Sequence, residues 1–165
     1  MMNERSSLYD GFALYASGVT LVTVRDGAED QFFIAGSVLT ASVDPFAIAV
    51  SIGKDRIGLP AILRGTTWSL SVLTTQHRSL VQNLSAGISM RDRLQFLMAA
   101  GAERSPEEPL WLPDSLVTFW CTVRSVTLVD DQRLVVGNVR RARIQRIDDP
   151  LLRWNRDFKT VKDFS

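Results

Sequence analysis

QFFIAGSVLTASVDPFAIAVSIGKDR, residues Gln31 to Arg56, decides how the chain is read. The order of residue types predicts a strand over Phe32 to Ala35, a small-residue segment from Gly36 to Ser42, a break at Asp44-Pro45 and a second strand over Ala47 to Ile52. That strand runs into Gly53-Lys54-Asp55-Arg56, so two strands meet at a polar turn. Ala35, Gly36 and Ser37 leave the backbone uncovered, which lets a flat ligand approach it, while Ser37, Thr40 and Ser42 offer hydroxyls. Gly53 permits the turn, and Lys54 and Arg56 supply cationic donors suited to a phosphate. The competing reading of the same residues is an ordinary sheet corner with two solvated bases.

Working outward, Leu8, Phe12 and Tyr15 recur near the helical period and predict a helix over Asn3 to Ala16 that ends at Ser17-Gly18. Val19 to Val24 is β-branched and stops at Asp26-Gly27, a hairpin signal leading into Gln31. Ile57 to Leu63 predicts a short helix with Pro60 near its start, where a missing N–H does little harm. Trp68 to Leu73 alternates in period two as a strand does. Gln76 to Leu84 then places Leu80, Val81 and Leu84 on one helical face behind a Thr74 or Thr75 cap. His77 falls in the first turn of that helix, as an exposed or capping residue with no assigned function. Arg91 to Phe96 opens another helix, and Glu103 to Pro109 reads as a surface loop too short to divide two domains. Two long β-rich runs, Leu116 to Leu128 and Arg133 to Ile144, form a hairpin.

The 165 residues suit one domain spanning 1–165, and 45% apolar with 22% charged residues is the balance of a folded protein. A formal net charge of +1 generates no field for nucleic acid or an anionic membrane. Arg140, Arg141, Arg143 and Arg146 alternate with apolar residues as a solvated strand face does. Cys121, the one cysteine, cannot form an intramolecular disulfide, and the N-terminus has no apolar run of signal-peptide length, so a cytoplasmic setting is expected. One His and one Cys make neither a metal cluster nor a hydrolase triad. No catalytic side chain and no metal ligand is assigned.

The chain resembles the flavin reductase-like family of FMN-binding split barrels over roughly residues 10 to 160. Ala35 to Pro45, followed by Ala47 to Ile52 and Gly53 to Arg56, keeps that family's order of strand, Thr/Ser-rich segment, Asp-Pro, strand and polar turn. Ala16 to Thr23 resembles its opening segment, Arg91 to Phe96 its Asp-Arg-Phe segment, Leu116 to Cys121 and Leu134 to Val139 two of its strands, and Asp149 to Leu152 its closing Asp-Pro-Leu-Leu. The resemblance implies a mainly β, α+β fold: a six-stranded antiparallel Greek-key split barrel with flanking helices, the first of which caps one end. It further implies a homodimer with the flavin near the subunit interface, and Cys121 as a packed core residue.

By the same resemblance, the expected cofactor-binding residues are Ala35, Gly36, Ser37, Val38, Thr40, Ser51, Gly53, Lys54, Asp55, Arg56 and Arg93, with a solvated arginine the other reading for Arg93. Gln132 and Trp154 are expected to face the nicotinamide or substrate, with packing on a partner subunit the other reading for Trp154. The cofactor is FMN, with FAD the alternative, and the hydride donor is NADH or NADPH. The reduced flavin would pass to a partner monooxygenase. Four positions depart from the family pattern: Ile34 stands where Thr is common, Gly53 for Asn, Asp55 for Ser and Gln132 for His. A carboxylate near a phosphate costs about 1 kcal/mol at contact in water. Gln132 can orient a ligand but cannot carry a proton, and hydride transfer needs no protein base. A non-catalytic flavin-binding or flavin-less dimer is therefore the alternative function.

Overall fold

The computed structural model describes residues 4–164. Along the chain run α1 (Glu4–Ala13), β1 (Ser17–Gly18), β2 (Thr20–Asp26), β3 (Glu29–Ala35), β4 (Val38–Val43), β5 (Phe46–Gly53), α2 (Leu59–Leu63) and β6 (Trp68–Val72). They are followed by α3 (Arg78–Ser85), α4 (Met90–Ala99), β7 (Val117–Val129), β8 (Gln132–Ile144), β9 (Leu152–Trp154) and β10 (Asp157–Lys159). The main sheet has seven strands in the order β3-β2-β6-β7-β8-β5-β4, and a second sheet joins β1, β9 and β10. Neighbouring strands pair antiparallel throughout both sheets, and the crossed neighbours β2–β6 and β8–β5 give the Greek-key character. Among the described residues no helix is long and apolar enough to cross a membrane.

The main sheet has one strand more than the six expected, and the reason is local. The small-residue segment does not remain a connection: its residues 38–43 pair with β5 from Val38↔Val50 to Val43↔Phe46, with a bulge between Thr40 and Ser42. Val and Thr fit a half-exposed pleated edge, and the bulge lets the short strand bend with its partner. Asp44-Pro45, the expected break, lies between β4 and β5 and carries a cis peptide.

Two residues, Gly36 and Ser37, connect β3 to β4, yet these are the two outermost strands of the sheet. Three Cα steps reach at most about 11 Å. The sheet must therefore curl until its edges nearly meet, which makes it a barrel with a seam at residues 36–37. Inside lie Val22, Phe33, Val50, Ile52, Trp68, Leu70, Cys121 and Val135. Gly137 is required there, because a Cβ at that position would sit 2.5 Å from Trp68 Cζ2. On the outer side of β2 and β3, Leu21 and Phe32 pack with Leu80, Val81 and Leu84 of α3, Leu97 of α4 and Leu151.

Two helix expectations need correction. Residues 14 and 15 close as single turns after α1 through Leu14 N–H to Gly11 O and Tyr15 N–H to Phe12 O, and Asn3 lies outside the described residues. Nor does α1 bury its apolar side chains as a barrel cap would: Leu8 is 65% and Phe12 79% exposed. The helix after β6 starts with a 3₁₀ turn, Thr75–His77, before α3. Thr74 is its cap, and its N–H donates to His77 Nδ1 at 3.1 Å. His77 thus caps, but it does so from a buried position, at 5% exposure.

Candidate functional site

At the seam the backbone itself forms the surface. Gly36 and Ser37 are exposed, Ala35 is buried beneath them, and Val38 is half-buried at the start of β4. Ser51 N–H donates to Ser37 O at 2.9 Å, so the seam is fastened to β5 two residues before the Gly53 turn. Gly36 lies against β1, where a Cβ would come within 3.1 Å of Ser17 Oγ. Ser17 in turn pairs with Arg153 of β9, which brings the C-terminal tail beside the seam.

The turn after β5 is built by three interactions. Arg56 N–H donates to Gly53 O at 2.9 Å, leaving Lys54 and Asp55 at the corners. Lys54 N–H donates to Asp131 O at 2.9 Å and seats the turn against the β7–β8 hairpin, in the register Gly53↔Gln132. Gly58 then takes φ +89°, with Val24 Cγ1 3.1 Å from where a Cβ would stand, so glycine is needed on both conformational and packing grounds. Lys54, Asp55 and Arg56 are exposed. Among the described residues none of the three forms an ion pair, although the Arg56 guanidinium lies 5.7 Å from the centre of the Phe33 ring.

Two clefts flank this turn. One, of about 320 Å³, is lined by Gly53 to Ile57 with Asp131 and Gln132. The other, of about 330 Å³, adds Asp26, Gln31, Gly58 and Pro60 to Lys54, Asp55, Arg56 and Ile57. Ser51 Oγ donates to Gln132 Oε1 at 3.4 Å, and Gln132 Nε2 would lie 3.9 Å from a Cβ on Gly53. The amide oxygen is therefore directed at Ser51, leaving the amide N–H groups as donors beside the turn.

Ala35, Gly36, Ser37, Val38, Ser51, Gly53, Lys54, Asp55, Arg56 and Gln132 thus fall on one continuous stretch from seam to turn. Thr40 lies further along β4, exposed and paired with Ile48. Arg93 stands apart on α4: its Nη2 donates to Ala86 O at 2.9 Å, and no hydrogen bond or ion pair among the described residues joins it to residues 35–56. Trp154 is half-buried, and its Nε1–H donates to Leu14 O at 3.1 Å, just beyond α1. Asp131 and Ser17 were not among the expected site residues. The pairing of Gly53 with the β7–β8 turn is what brings Asp131 in, and that long-range register has no local sequence signal.

Burial pushes the Cys121 thiol up to about 12, so it is not a nucleophile at neutral pH. What the stretch offers is an accessible strip of small residues with hydroxyls at one end and cations at the other. Such a strip can hold and orient a planar ligand with an anionic tail.

A family model described as the flavin reductase like domain matches residues 12–162. NADH:riboflavin 5'-phosphate oxidoreductase from Streptomyces pristinaespiralis is 31% identical over 156 residues, covering 93% of this chain and 86% of the relative. NADH-dependent FMN reductase AsuE2 from Streptomyces nodosus subsp. asukaensis is 26% identical over 163 residues, covering 96% and 86%. Among solved structures, BorF, the flavin reductase component of a bacterial two-component tryptophan halogenase, superposes with a TM-score of 0.84 at 24% identity, over 95% of this chain and 98% of that one.

Proposed function

The chain belongs to the flavin reductase-like domain family, and from that membership we propose that it is a flavin reductase that binds FMN and reduces it with NADH. NADPH and FAD are the alternative donor and acceptor. The observation that carries the site assignment is the Ser51 N–H to Ser37 O bond at 2.9 Å, which joins the small-residue strip to the cationic turn on one surface. That surface fits a flavin: uncovered backbone at Gly36 and Ser37 accepts a flat ring, and Lys54 and Arg56 are free of ion pairs among the described residues. Ala35 to Val38, Thr40 and Ser51 would line the ring, with Gly53 to Arg56 at the phosphate. Arg93 would reach the flavin edge with the guanidinium N–H groups that its bond to Ala86 O leaves over.

A bound flavin supplies the two-electron acceptor for a hydride; the protein holds the two rings in register and excludes water. Gln132 orients the nicotinamide through its amide N–H groups, and Trp154 lies against it or against a second subunit. The second subunit is supported by the apolar side chains left exposed, among them Val43, Phe46, Leu128 and Ile144 at 66–78%. A cytoplasmic homodimer passing reduced flavin to a partner monooxygenase is the setting this reading supports. No nucleic acid or membrane enters it.

The test is oxidation of NADH by the purified protein with FMN added and no other protein present. Turnover that depends on FMN supports the reductase reading. Flavin that binds by absorbance titration, with no oxidation of NADH or NADPH near neutral pH, would overturn it in favour of the non-catalytic dimer.

A further inference from the structure

The cleft beside the β7–β8 hairpin holds two cations, Lys54 and Arg56, and two carboxylates, Asp55 and Asp131. Its formal charge is therefore zero. All four residues are exposed, and no ion pair among the described residues ties either carboxylate to another part of the chain. Of the backbone donors here, Lys54 N–H and Arg56 N–H are already committed to Asp131 O and Gly53 O. No hydroxyl lines this cleft; its one neutral polar side chain is the Gln132 amide. Among the side chains, the two cations that would hold a phosphate stand with two carboxylates that oppose their charge.

We propose that Asp55 is a specificity-determining residue: by cancelling the charge of the turn, it makes the site recognise flavin by its ring and accept phosphate-free riboflavin about as well as FMN. The inference rests on the flavin reading above and deepens it. Asp55 lies between the two cations in the turn and lines both clefts with them. Asp131 acts in the same sense from the opposite wall. At separations of about 5–8 Å near water, each unit charge alters a phosphate's affinity about three- to tenfold, and salt reduces the effect. Riboflavin, which is uncharged, feels almost none of it.

The experiment measures dissociation constants for FMN and riboflavin by titration of the full chain at low and high salt. Five proteins are compared: wild type, Asp55→Asn, Asp131→Asn, Lys54→Ala and the double variant Lys54→Ala with Arg56→Ala. Wild type should bind the two flavins within about threefold of each other. Asp55→Asn should tighten FMN about three- to tenfold with riboflavin unchanged, and Asp131→Asn should move FMN the same way. Lys54→Ala and the double variant should weaken FMN in successive steps, and high salt should compress the whole series. A wild-type preference for FMN above tenfold, or equal shifts of both flavins on Asp55→Asn and Asp131→Asn, would overturn the inference and leave the flavin site standing. Failure of both flavins to bind wild type would overturn the site reading, and the inference with it.

Discussion

Gln132 shows how one side chain's geometry limits what it can contribute. Its amide oxygen is engaged by Ser51, so the role proposed for it toward a nicotinamide is confined to donating and orienting. Gln132→Ala should raise the KM for the nicotinamide several-fold while kcat changes little, a loss of uniform binding; an equal fall in kcat and kcat/KM would refute that role. Gly137→Ala should be costly for a different reason, since the new methyl meets the fully buried Trp68 ring and Cys121 at once. Overpacking of this kind costs about 1–3 kcal/mol, and calorimetry should record a Tm lower by several degrees. His77 is sensitive to pH. Burial pushes its imidazole below the ordinary value of 6.5 and Arg146 adds to this, against the opposing pull of Asp114 and the Thr74 bond. Because the unfolded chain then takes up a proton that the folded chain refuses, stability is full above about pH 6.5 and falls as pH drops from there toward the lowered folded value. Urea midpoints should decline on acidification through that window, and His77→Gln should decline less; parallel declines would remove His77 as the cause.

At the scale of elements, the tail strands are tied to the N-terminal helix. Asn155 N–H donates to Ala13 O at 2.7 Å and Trp154 Nε1–H to Leu14 O, so β9, β1 and the end of α1 meet beside the seam. If Trp154 stacks on the nicotinamide, Trp154→Ala should raise the nicotinamide KM with the dimer intact; if it packs between subunits, the same change should shift the protein toward monomer in light scattering. The strands that the sequence displayed were those with their own pattern: β-branched Val19 to Val24, alternating Trp68 to Leu73, and the long runs around Cys121 and Val135. The edge strand β4 was not legible, because the small residues around it, Gly36 and Ser37 before it and Ala41 and Ser42 within it, mask its Val and Thr positions, and the strand is defined by its pairing with β5. The burial of His77 was equally hidden, since it depends on α3 packing under the sheet and not on its neighbours in sequence. Lys54, Asp55 and Arg56 could be read as a turn, whereas the wall supplied by Asp131 depended on a partner nearly eighty residues away.

For the whole molecule, the unburied apolar side chains predict assembly. Ile147 is 98% exposed and Leu128 72%, values that leave a lone copy with much uncovered hydrocarbon. Light scattering at low micromolar concentration should give about twice 18.4 kDa; a monomer at that concentration would refute the dimer. Flavin affinity should fall on dilution below the dimer's dissociation constant if both subunits border the site. The barrel's closure sets a separate condition on the ligand strip. Because Gly36 and Ser37 alone bridge the two outermost strands, the opening of the seam is fixed by a count of peptide units and hardly at all by which side chains those units carry. Replacing Ser37 should leave the strip's outline in place, whereas one added residue would let the barrel's lips part and carry the strip away from the turn after β5.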